Sequence, residues 1–352
     1  MKQRVLLTAI LLSIAGLLLF PRESAEAVAQ GLRICAWTLI PALFPYLFLS
    51  ALLAGSGCGR CAEKLLRKPL GRLFGIGNSG ASVWLIGLVG GYPSAAAAAA
   101  QLRKHNAITK EEADGLLFFC CNAGPAFIAG VIGNGLFHSK RIGTALLLIH
   151  YTASFLCGLL HNRKKYNTTQ QGLPDSSSAV SISSSVVRSL SQAVATMLNI
   201  CGYVCVFSLI LRIISSVLVA FPIVSAILAG MTELSAGMSM ISLLQIPWTC
   251  KFILTAAMIS FGGLCVLLQT ASVLEGTGLS LKCYIQGKLL QSLFSAVLAW
   301  PVSFLVKPNI PVSTLQPVLR LWSPWPWTIY SIVVVLVIFL QFPPSNSERH
   351  RI

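Results

Sequence analysis

Long apolar runs separated by short basic segments set the pattern of this chain. In the first half they cover Val5–Phe20, Ile34–Leu53, Ser79–Ala100, Leu116–Phe137 and Ile142–Leu160. In the second they cover Ala193–Leu218, Phe221–Leu244, Phe252–Leu274, Tyr284–Leu305 and Thr328–Phe342. Most approach the roughly 20 residues that a helix needs to cross about 30 Å of hydrocarbon. The polar tract His161–Ser185, with Arg163-Lys164-Lys165 and many serines, reads as a linker between the halves. Lys2 and Arg4 before the first run, with Ala25-Glu26-Ala27 after it, resemble a signal sequence; the run is read here as an uncleaved first span. The Pro/Trp-rich stretch Pro308–Trp327 has the aromatics of a membrane interface.

The two halves follow one plan: a span, a segment interrupted near its middle, a broken span and a further span. The interruptions are Gly91-Tyr92-Pro93-Ser94 and Gly230 to Gly237. The breaks are Asn122-Ala123-Gly124-Pro125 and Gly262-Gly263. Proline and glycine free backbone groups that lipid cannot satisfy, so such breaks persist where protein or a water-filled cavity receives them. Paired interruptions at matching places point to a transporter site at a repeat interface.

Counting charges shows how the interrupted segments run. If every run crosses once from a cytoplasmic N-terminus, the 26 Lys and Arg divide into 14 inside and 12 outside. If Ser79–Ala100 and Phe221–Leu244 are re-entrant hairpins, the same 26 divide into 18 inside and 8 outside. The second division obeys the positive-inside rule. It also gives each half three crossings, an odd number, which inverts one half against the other. The expected fold is an all-α polytopic membrane protein of two inverted repeats, each of three transmembrane helices plus a re-entrant helical hairpin, with additional N- and C-terminal spans. Both termini are then cytoplasmic. The expected divisions are an N-terminal span at 1–30, repeats at 31–162 and 190–306, a cytoplasmic linker at 163–189, and an interfacial segment, last span and tail at 307–352.

Composition agrees: 55% of residues are hydrophobic, 10% are charged and mean hydropathy is +0.77. The formal charge of +16 lies in short clusters between apolar runs, the arrangement of membrane-flanking loops, and no nucleic-acid-binding module is present. The bilayer is the expected partner; nucleic acid is not, and a homo-oligomer stays open. Most of the eleven cysteines lie inside apolar runs, where they act as small hydrophobes. Cys58-Gly59-Arg60-Cys61 has metal or redox spacing but no second pair to complete a site. Without H-E-x-x-H, G-x-S-x-G or a phosphate loop, the expectation is no enzyme, no catalytic or metal-binding residue and no cofactor.

The candidate binding residues come from the interruptions. Glu233 is an acid deep in an apolar run, which by default marks a functional site. Tyr92, Pro93 and Ser94 at one hairpin tip, and Thr232 and Ser235 at the other, lie where helix N-termini offer N–H groups to an anion. Asn122 and Gly124 mark the break. Asn199, Gln269, Ser272 and Glu275 are second-rank candidates, while His150 and Arg212 read as packing or boundary residues.

These residues carry a resemblance. Gly91-Tyr92-Pro93-Ser94, Glu111-Glu112-Ala113 and Phe119 to Ile128, with Gly133 and Gly135, resemble the nucleoside-recognition (Gate) domain. More narrowly, they are similar to YlbJ-type sporulation integral membrane proteins, as are Thr232 to Gly237 and Gln269 through Gly278. The chain departs from that pattern at Cys121 and Ala123, where Asn and Ser are expected. The resemblance covers roughly residues 31 to 306. It implies a relationship to concentrative nucleoside transporters, with inverted repeats, re-entrant hairpins and unwound helices. It also implies a bacterial cell membrane, a role in spore cortex formation and transport of dipicolinic acid across the outer forespore membrane. Two alternatives accompany it: a nucleoside-like solute, or a non-transporting scaffold that recruits spore-assembly partners through the Arg60–Arg72 loop.

Overall fold

The computed structural model describes residues 2–55, 66, 68–161, 182–218 and 221–308. Arg60 and Lys64 of the basic loop, the Cys58–Cys61 pair, most of the polar tract and the expected last span lie outside them. Every regular element among the described residues is helical.

The first half contains α1 (Lys2–Leu19), α2 (Pro21–Ile34), a π-turn at Cys35–Leu39 and α3 (Ile40–Gly55). It continues with α4 (Asn78–Gly90), α5 (Tyr92–Lys104), α6 (Lys110–Phe119), the π-helical α7 (Ala126–Leu136) and α8 (Lys140–His161). The second half contains α9 (Ile182–Val217), α10 (Pro222–Thr232), α11 (Leu234–Leu243), α12 (Trp248–Phe261), α13 (Gly263–Leu274) and α14 (Leu281–Leu305). Two boundaries differ from the apolar pattern. The span expected from Ile34 begins at Pro21, a favoured first helical position because its absent N–H has no helical partner to lose. Residues 182–189, polar by composition, are already helical in α9.

Among the described residues, five stretches are long and apolar enough to cross a membrane: Pro21–Leu53, Lys140–His161, Ser183–Arg212, Trp248–Leu274 and Leu281–Leu305. The chain is thus an integral, multi-pass membrane protein. The interrupted segments behave differently. At 13 residues each, α4 and α5 measure about 20 Å, too short to cross singly. They meet at Gly91, whose φ of +89° turns the chain in a conformation that a side chain would strain. Helices α10 and α11 are shorter still and meet at the extended Glu233. They press together so closely that a Cβ on Gly237 would stand 2.1 Å from the Gly230 Cα.

Local sequence fixes the other ends. Thr109 caps α6 by accepting from the Glu112 N–H at 3.2 Å, and Glu111 and Glu112 put negative charge in the first turn. The expected break falls between Cys120 and Gly124, where the helix stops before Pro125 restarts it. The second break lies at Gly262 and Gly263, with φ of +87° and +81°. Ser280 caps α14.

The halves pack by exchange. Helix α3 lies on α9 and α8 on α14; α5 meets α13 as α11 meets α7, and α6 meets α14 as α12 meets α8. Small residues permit these approaches, as is usual between membrane helices. A Cβ on Gly287 of α14 would lie 1.9 Å from the Phe118 carbonyl of α6, and one on Gly133 of α7 would lie 2.3 Å from the Gly143 Cα of α8. One apolar core gathers around α7 to α12, and another around α4 to α6 and the start of α14.

Candidate functional site

Three interruptions and the start of the helix that follows the fourth converge on one cavity. Gly91, Tyr92 and Pro93 come from the first hairpin tip, and Ala123 and Gly124 from the α6–α7 break. Glu233, Leu234 and Ser235 come from the second tip, and Cys265 and Gln269 from α13, which begins at the second break. This inner cavity, counted with its open mouth, has about 700 Å³ of empty space. An outer cavity of about 760 Å³ adjoins it, and the two share Leu47, Pro93, Ile200 and Gln269. The outer lining carries neutral amides and hydroxyls: Ser94, Gln101, Gln192, Thr196, Asn199, Tyr203 and Ser272. Among the described residues neither cavity is lined by Lys or Arg.

The candidates take different places around it. Tyr92 is buried; its hydroxyl donates to the Ile259 carbonyl, and its ring meets His150 edge-on at 6.5 Å. Ser94 faces the outer cavity, with its hydroxyl donating to the Gly90 carbonyl at 3.0 Å. Gly124 stands against Gly91, so break and hairpin tip touch by backbone. Thr232 lines neither cavity; its hydroxyl donates back to Leu228 and Ala229 at 2.7 and 2.8 Å. Glu275 is exposed beyond α13 and also lines neither. Asn199 and Ser272 line the outer cavity, and Gln269 lines both.

Glu233 requires a correction to the expected chemistry. The pattern predicts free N–H groups at its hairpin tip, open to an anion. Those of Ser235 and Ala236 instead donate to the two Glu233 carboxylate oxygens, at 2.9 and 2.7 Å. The side chain, 3% exposed, is the N-cap of α11, where charge-assisted bonds and the helix dipole favour it. It therefore borders the cavity as a carboxylate already compensated by backbone.

Asn122 is 0% exposed and donates to the Phe119 and Cys120 carbonyls at 3.2 and 3.3 Å, satisfying groups that the break releases. Its oxygen accepts from the Gln291 amide of α14 at 2.9 Å. Around this pair stands a polar network that the pattern does not foresee. The Ala123 N–H donates to His150 Nε2 at 3.0 Å, and His150 Nδ1 lies 2.8 Å from the Ser260 hydroxyl. Ser260 in turn bonds Ser295 at 2.6 Å. Lys288 Nζ donates to the Cys121 carbonyl and to Gln291 Oε1. The packing role expected for His150 is thus incomplete: its ring joins one break to α12 and α14. The signal for Lys288 was present, a cation inside an apolar run, under the same rule that singled out Glu233.

Fold and site together define a polytopic helical membrane protein in which two hairpin tips, the α6–α7 break and the start of α13 border a common cavity. Compared with known proteins, the chain is similar to the sporulation integral membrane protein YlbJ of Bacillus subtilis (strain 168), with 26% identity over 313 residues. The match covers 79% of this chain and 77% of that protein. This likeness supports a YlbJ-type assignment. No family model matches the chain, and no solved structure does. The Gate-domain likeness therefore rests on the motifs alone.

Proposed function

We propose that this protein is a transporter or facilitator that moves a small organic anion across a membrane of the sporulating cell, dipicolinic acid first. One observation carries the reading: both hairpin tips, the α6–α7 break and the first turns of α13, the helix that follows the second break, border a single cavity. That arrangement belongs to carriers whose site lies between repeats. A scaffold has no need of so many buried polar groups at membrane depth. The YlbJ likeness favours spore formation as the setting, and the resemblance implies the outer forespore membrane. On this reading the halves are inverted, the hairpins are re-entrant and both termini are cytoplasmic. The neutral amides and hydroxyls of the outer cavity favour a nucleoside-like solute as the second reading.

Purified protein in proteoliposomes tests this directly. Labelled dipicolinate uptake should saturate and exceed that of protein-free vesicles. Ser94→Leu should abolish it by filling the outer cavity, while Thr232→Ala, which lines neither cavity, should not. Uptake of both dipicolinate and uridine at the protein-free rate would remove the transporter reading.

A further inference from the structure

Lys288 is 1% exposed within a candidate membrane span, Leu281–Leu305. Its ammonium has three N–H donors, and two go to neutral oxygens, the Cys121 carbonyl and Gln291 Oε1. Beyond these lie two ring faces, Tyr92 at 5.3 Å and Tyr284 at 6.0 Å from Nζ to centroid. Among the described residues no carboxylate pairs with it. Cations at membrane depth normally pair with an acid or a backbone carbonyl, or face a water-filled cavity. Lys288 has the carbonyl but no acid, and the cavity begins on its neighbour: Tyr92 lines it, as do Ala123 and Gly124 beside the Cys121 carbonyl. Among the described residues the one acid in that lining is Glu233, already compensated by the N-terminus of α11.

We propose that Lys288 supplies the counter-charge for a carboxylate bound in the inner cavity beside Tyr92, and so selects organic anions over uncharged solutes of the same shape. The inference rests on the transporter reading and gives it a source of charge specificity. Neutral hydrogen bonds hold the ammonium without cancelling its charge, so its field reaches through a polarisable ring into a cavity with no cation of its own. In the weakly screened interior that attraction is worth on the order of tenfold in affinity. Because Lys288 also holds the Cys121 carbonyl, the same side chain ties the solute's charge to the break in the cavity wall.

Binding to the full chain in nanodiscs tests this, with dipicolinate and its uncharged diamide as the two probes. Lys288→Gln should weaken dipicolinate on the order of tenfold and leave the diamide unchanged, while Lys288→Arg should restore dipicolinate. Gln291→Glu keeps the lysine and places a carboxylate at its existing hydrogen-bond partner. It should cause the same selective loss, and it tests the idea even if Lys288→Gln does not fold. Equal weakening of both probes in either variant would mark Lys288 as a packing residue and overturn the inference. So would dipicolinate binding unchanged in Lys288→Gln or in Gln291→Glu, with the transporter reading left standing. A wild-type protein that binds neither probe, and moves neither dipicolinate nor uridine, would remove both.

Discussion

Two buried acids show how one residue type serves two ends. Glu233 is held by the backbone of the helix that it starts, so Glu233→Ala should cost about 1 kcal/mol of stability through the lost cap. Glu233→Gln, which keeps one acceptor, should lose less; thermal melts of the two variants in detergent measure the difference. Glu112, at the start of α6 and ahead of the apolar segment, accepts from the Gly77 N–H at 2.7 Å. Burial raises its carboxyl above the ordinary 4.5, against the lowering effect of that N–H. The folded protein therefore binds this proton more tightly than the unfolded chain does. The group's contribution is fully present below its ordinary value and is lost as pH rises through the raised one. As pH rises from the ordinary 4.5 through the raised value, the wild-type melting temperature should fall by a step that Glu112→Gln lacks. Equal slopes in the two proteins would refute this.

Contacts between elements depend on glycine at a few crossings, which makes sharp contrasts available. Gly287→Ala drives a Cβ to 1.9 Å from the Phe118 carbonyl and must part α14 from α6, the contact that brings Lys288 and Gln291 to the break. A loss of about 3 kcal/mol or more is expected, because backbone cannot yield as a side chain can. Gly202 in α9 has open space around it, so Gly202→Ala should stabilise by about 0.5 kcal/mol through helix propensity. Melting of the two variants, with their monodisperse yield, checks the contrast. The α6–α7 break was legible in Asn122 to Pro125, since proline and glycine act through the local chain. Its satisfaction was not. Cys121 and Ala123 offer no polar side chain, and the missing hydrogen bonds come from His150, Gln291 and Lys288, up to 169 residues away in the chain.

At the scale of the whole molecule, equivalent helices of the two halves exchange contacts, and labelling can test whether the halves are inverted. His105 lies exposed at the end of the first hairpin and Gln245 at the end of the second. In a variant cleared of reactive native cysteines, His105→Cys should react from the cytoplasmic face and Gln245→Cys from the opposite face. Labelling of both from one face would sink the inversion and restore the model in which every apolar run crosses. The apolar runs alone favour neither arrangement. The positive-inside count separates them because loop charges record which side each segment ends on.

By itself the sequence determined the elements that periodicity, length and local chemistry control: the apolar helices, the turn at Gly91, the Asn122–Pro125 and Gly262–Gly263 breaks, and the likeness of the halves. Each follows from the covalent chain and its preference for lipid or water. Only the tertiary structure decided that both tips, the α6–α7 break and the start of α13 share one cavity, that Glu233 is committed to a cap, and that Thr232 and Glu275 stand apart from it. It alone put Lys288 beside Tyr92 and Asn122. The reason is physical: hydrogen bonds and charge act over a few ångströms in space, and the helix crossings that set those distances join residues far apart in the chain.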